Sequence, residues 1–89
     1  MFLHLGQYTV VRTDEIVGIF DIDNTTVSKH TRKYLAEAEK QKKVVNVSTE
    51  LPKSFVVCNK NGNEKVYISQ LSPTTLIKRF STKSLDGGF

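Results

Sequence analysis

The chain has 89 residues, 38% hydrophobic and 25% charged, which suits one hydrophobic core and is too apolar for an intrinsically disordered chain. No stretch approaches the roughly 18 consecutive apolar residues that a bilayer-spanning helix needs, and the start has neither a basic n-region nor a long apolar h-region. Cys58 is the only cysteine, excluding an intrachain disulfide and a zinc cage built from cysteines. The expectation is a single α+β domain over residues 1–80, cytoplasmic, without membrane anchor, metal or cofactor. The net charge is +4 and uneven: residues 1–28 carry −3 and residues 29–43 carry +4. A local positive field of this kind suits a polyanionic partner, although many such faces only keep a protein soluble.

Residues 1–5 and 8–12 are short β-type runs joined by Gly6-Gln7, and residues 16–20 form a third, rich in β-branched and aromatic side chains. Together they predict a small N-terminal sheet, with Thr13-Asp14-Glu15 as the turn before the third run. After Asp21 the period changes. Val27, Thr31, Tyr34, Leu35 and Ala38 recur at the spacing of an amphipathic helix, which Asn24, Thr25 or Thr26 can cap. On a helical wheel Lys29, Arg32, Lys33, Lys40 and Lys43 gather opposite that stripe. Glu39 precedes Lys43 by one turn in the favourable orientation, so helix stability explains part of the pattern.

Residues 44–47 return to strand character, and Leu51-Pro52 breaks the chain before a compact apolar strand at 54–58. Cys58 ends that run and reads as a small buried strand residue. Asn61-Gly62 supplies the positive-φ pair of a hairpin turn, with residues 65–69 as the returning strand. Ser72-Pro73 is an N-cap followed by proline at the first helical position, and Leu71 can staple onto Leu76. That C-terminal helix is expected to be short, ending near Phe80, with residues 81–89 as a flexible tail. The predicted fold is α+β: a small, mostly antiparallel sheet with one long amphipathic helix and a short C-terminal one.

One motif points toward catalysis. Asp21-Ile22-Asp23-Asn24-Thr25, after an apolar run, matches the Asp-x-Asp-x-Thr signature of haloacid-dehalogenase-type phosphatases; two carboxylates at a strand end can jointly face a magnesium-bound phosphate. That chemistry needs a parallel sheet built from several βα units, whereas this chain offers one helix and then a hairpin. It also lacks a downstream acidic pair, since Asp86 is the only later aspartate after Asp23. The same residues suit the turn and cap of the basic helix, where acids complement the dipole. His4 and His30 stand apart from any serine or cysteine nucleophile arrangement, and the glycines are too scattered for a phosphate loop. The reading is non-enzymatic, with no catalytic and no metal-binding residues.

The ordered set Leu3-His4-Leu5-Gly6, Val10-Val11-Arg12-Thr13, Glu15-Ile16-Val17-Gly18-Ile19-Phe20-Asp21, Leu51-Pro52-Lys53-Ser54-Phe55-Val56-Val57 and Tyr67-Ile68-Ser69-Gln70-Leu71-Ser72-Pro73-Thr74-Thr75-Leu76 resembles the RemB type of bacterial extracellular-matrix (biofilm) regulator, a sibling of the RemA DNA-binding regulators. The resemblance runs from about residue 1 to residue 80. It implies a small non-catalytic regulator and, through the sibling, ring-shaped homo-oligomers that bind DNA upstream of matrix genes. RemA-type proteins use arginines in the loop before the third strand and before the central hairpin. Here those segments read Thr13-Asp14-Glu15 and Glu50-Leu51-Pro52-Lys53, so acidic and apolar residues replace most of the cationic set and Arg12 and Lys53 are its remnants. The candidate nucleic-acid contacts are Arg12, Lys29, Arg32, Lys33, Lys40 and Lys53; the alternative is a module that binds a sibling regulator without touching DNA.

Overall fold

The computed structural model describes residues 1–22 and 29–86. Strands β1 (Phe2–Gly6) and β2 (Thr9–Arg12) are followed by a single 3-10 turn (Thr13–Glu15) and β3 (Ile16–Asp21). Helix α1 (Lys29–Lys40), β4 (Val44–Asn46), β5 (Ser54–Lys60), β6 (Asn63–Ser69) and α2 (Pro73–Asp86) complete the order. The chain is α+β, as its sequence predicts, but the strands form two sheets rather than one. β1 and β2 pair only with each other, while the other sheet runs β3-β5-β6-β4. The third run therefore leaves its sequence neighbours: β3 pairs antiparallel with β5, from Ile16 opposite Cys58 to Asp21 opposite Ser54. Pairing is antiparallel except for β4 with β6.

The alternation along β5 explains the layering. Phe55 and Val57 join Val66 and Ala38 in one apolar cluster, packed by Tyr34, Leu35, Val44 and Ile68, on the side covered by α1. Val56 and Cys58 join Leu3, Leu5, Val11, Val47 and Leu76 in a second cluster on the opposite face, beneath the β1–β2 hairpin and α2. A strand covered on both sides should read as an unbroken apolar run, and all five residues Ser54–Cys58 are buried. At the hairpin tip Asn61 and Gly62 hold φ of 52° and 84°, the left-handed pair that joins β5 to β6.

Two helix boundaries differ from expectation. α1 has 12 residues and is not a long helix; α2, with 14, exceeds it. α1 stops because the backbone of Lys42 turns to φ 58°, letting Lys42 N donate to Glu39 O at 3.0 Å and Lys43 N to Ala38 O at 2.9 Å. This is a Schellman closure with lysine in the place usually held by glycine. α2 starts as predicted, with Ser72 Oγ accepting from Thr75 N at 3.1 Å and Pro73 at the first helical position. It then continues past Phe80 to Asp86, because no helix breaker occurs before Gly87. The predicted α1 cap and Val27 lie outside the described residues.

Two buried serines face each other across β5 and β6, Ser54 opposite Ser69. The Ser69 hydroxyl donates to Leu5 O at 2.6 Å and accepts from Leu71 N at 3.0 Å, tying β1 to the end of β6. Among the described residues the Ser54 hydroxyl has no partner.

Candidate nucleic-acid interface

Tyr34, Leu35 and Ala38 turn α1 toward the sheet, so the intervening positions face outward. Lys29, Arg32, Lys33 and Lys40 are all exposed there, and none has an ion pair among the described residues. The structure thus brings four of the six predicted cations onto one element. Lys43, which the wheel placed with them, is instead half-buried beyond the helix end, with Nζ 3.9 Å from Glu64 Oε1.

Arg12 and Lys53 stand elsewhere, and apart from each other. Lys53 is anchored through its backbone, its N donating to Ser69 O at 2.9 Å and its O accepting from Ile22 N at 3.0 Å; its side chain is exposed at the start of β5. Arg12 lies at the other end of β5, in a shallow polar cleft with Glu15, Asn59, Lys60 and Asn61. β5 has seven residues, roughly 20 Å of strand, so the two cations are not neighbours in one small footprint. Arg12 is also engaged: Nε donates to Asp14 Oδ1 at 3.1 Å and Nη2 to Asp14 Oδ2 at 2.9 Å. This two-pronged pairing presents a carboxylate where a phosphate would otherwise sit. It pushes the guanidinium pKa up and the Asp14 carboxyl down, the hydrogen bond being the largest cause in both.

Asp21 closes β3, exposed, opposite Ser54. Its strand is antiparallel to its neighbour at the sheet margin, not inside a wound parallel sheet, and Asp23 lies outside the described residues. Among those residues no cluster of three His, Cys, Asp or Glu side chains could hold a metal ion, and no helix is long and apolar enough to cross a membrane. Cys58 is buried, and burial pushes its thiol up to about 11, as expected of an inert core position.

Sequence reasoning missed an apolar groove of about 350 Å³ beside α1, to which β3 contributes Val17 and Phe20, and β5 Phe55 and Val57. His30, Thr31 and Tyr34 of α1 close it. The Phe20 ring stacks on Phe55 with centroids 4.9 Å apart and planes 18° from parallel. Gly18 permits this: a Cβ there would lie 2.6 Å from the ring. Residue spacing could not have revealed the groove, since it needs the pairing of β3 with β5.

Two comparisons place this arrangement among known proteins. Residues 2–80 match the RemA-like family model, described as extracellular matrix regulatory protein A-like. The matched span covers both sheets, α1 and the first eight residues of α2. The chain is also 44% identical over 80 residues to extracellular matrix regulatory protein B of Bacillus subtilis (strain 168), covering 89% of each chain. The chain therefore belongs to the RemA-like family of extracellular matrix regulatory proteins and is a regulator of its RemB type.

Proposed function

We propose that this protein regulates extracellular-matrix (biofilm) gene expression in the bacterial cytoplasm, without catalysis, as a homo-oligomer that grips DNA phosphates through Lys29, Arg32, Lys33 and Lys40. The observation that carries this reading is the exposed row of cations on α1, unpaired among the described residues. Such residues engage the backbone of DNA rather than its base edges. Lys53 extends the positive surface from the start of β5, whereas Arg12 joins only by exchanging Asp14 for phosphate. Assembly is supported by the outer face of the β1–β2 hairpin, where Met1, Phe2, Tyr8 and Val10 are exposed apolar side chains.

A triple charge reversal, Lys29→Glu with Arg32→Glu and Lys33→Glu, tests it. Promoter-fragment affinity should fall, and the slope of log K against log salt should flatten by about 0.9 for each phosphate that the variant no longer neutralises. Unchanged affinity and slope would remove α1 from the interface. Light scattering checks the assembly, and a monomer at all concentrations would refute it.

The Arg12–Asp14 pair favours a second reading, a protein-interaction module that works with a sibling regulator. A gel shift at low salt separates the two: no shift with micromolar protein favours the module.

A further inference from the structure

The groove between β3 and α1 has three properties, of which the first two lie outside the proposed DNA contact. Among the described residues β3 is an outer strand of its sheet, paired on one side only. An extra residue interrupts its register between Ile16 and Gly18; that residue, Val17, is 67% exposed at the groove. Beyond this bulge, Gly18 to Asp21 pair regularly with Val57 to Ser54. Alternate backbone N–H and C=O groups of that stretch therefore point away from the sheet, which is the template for another strand.

The second property is the groove beside that template. At about 350 Å³ it is at the small end of ligand pockets, roughly 300–1,000 Å³, and its β-strand side is wholly apolar. It suits one or two aliphatic side chains better than a small molecule that needs several convergent polar groups. The third property is charge. Lys29 and Lys33 lie on the flank of α1 next to His30, one helical step outward from the groove. Glu37 follows one turn further along that flank, and Asp21 ends β3, so the positive rim is confined to the first turns of α1.

From these we infer that the β3–α1 groove receives an extended segment of another protein, added as a strand along β3, with apolar side chains in the groove and acidic residues against Lys29 and Lys33. Main-chain hydrogen bonds supply affinity, and the alternate pockets and charges supply selectivity. The inference stands apart from DNA binding, although a bound acidic segment and DNA would share those two lysines.

The test uses the full chain and a blocked decapeptide labelled with fluorescein, its centre alternating valine and threonine and its flanks glutamate. Fluorescence anisotropy should give saturable binding, and amide shifts in NMR spectra should concentrate in β3 and the start of α1. A lysine-flanked analogue should bind about tenfold more weakly or worse. Val17→Asp and the Lys29→Glu/Lys33→Glu pair, both at exposed sites, should weaken the acidic peptide to the same degree while thermal unfolding is unchanged. Absence of binding, equal binding of both peptides, shifts centred on the β1–β2 hairpin, or indifference to Val17→Asp would each overturn the inference. So would a change of oligomeric state in Val17→Asp without peptide, which would assign the edge to a second copy of this chain.

Discussion

Replacing Ser69 by alanine isolates one connection between the two sheets. The hydroxyl donates to Leu5 O at 2.6 Å and accepts from Leu71 N at 3.0 Å, so its removal strands a buried carbonyl and a partly buried amide. Each such orphan costs about 1–3 kcal/mol; with Leu71 N only partly buried, the sum is about 2–4 kcal/mol. At roughly 4–8 °C per kcal/mol for a domain of this size, Tm should fall by about 10–30 °C. Urea unfolding measures it, with an unchanged m-value because the buried surface is the same. The matched control stands directly opposite on β5: the Ser54 hydroxyl is buried with no partner among the described residues, so Ser54→Ala should be neutral or stabilising by up to about 1 kcal/mol. Equal effects at the two serines, or a larger loss at Ser54, would refute the reasoning.

Other outcomes follow from the same geometry. Gly18→Ala places a Cβ 2.6 Å from the Phe20 ring; displacing the ring from Phe55 should cost about 1–2 kcal/mol in denaturant melts. Lys42→Gly relieves the left-handed backbone at φ 58° and should stabilise by about 0.5–1 kcal/mol. Leu76→Ala empties a fully buried site and should cost about 2–5 kcal/mol by the same assay. Burial raises the Cys58 thiol from 9.0 to about 11, so the folded chain holds that proton more tightly than the unfolded one. The resulting stability is complete below pH 9 and is lost as pH rises toward 11. Cys58→Ala should flatten that decline, and iodoacetamide at pH 8 should modify Cys58 only after unfolding.

Local chemistry made several elements legible from sequence. The Asn61-Gly62 turn, the Ser72-Pro73 start of α2 and the Tyr34-Leu35-Ala38 stripe of α1 each depend on residues within a few positions, and the structure has all three. The partner of β3 depends on a strand beyond α1, so nothing between residues 8 and 20 indicates that β3 leaves the hairpin. The unbroken apolar run marks Phe55 and Val56 as buried, and the strand period puts them on opposite faces, but it does not say which element covers each face. α1 ends on a lysine in the left-handed region, a position where sequence reading looks for glycine. For the candidate interface, charge spacing grouped Lys29, Arg32, Lys33, Lys40 and Lys43; the first four are exposed on α1, and Lys43 lies half-buried beyond its end. It could not separate Arg12 from Lys53, which depends on how β2 and β5 are placed, or show that the turn at Thr13–Glu15 brings Asp14 onto the Arg12 guanidinium.

The second apolar cluster gathers Leu3 and Leu5 with Val56 and Leu76, residues from near both ends of the sequence. During synthesis the N-terminal hairpin emerges long before the helix that covers it, and α2 itself contributes Leu76 from its first turn. The layer beneath the hairpin cannot close until α2 has been synthesised, so the nascent chain exposes Leu3 and Leu5 until then. Ribosome-stalled intermediates should remain sensitive to proteases until α2 has cleared the exit tunnel.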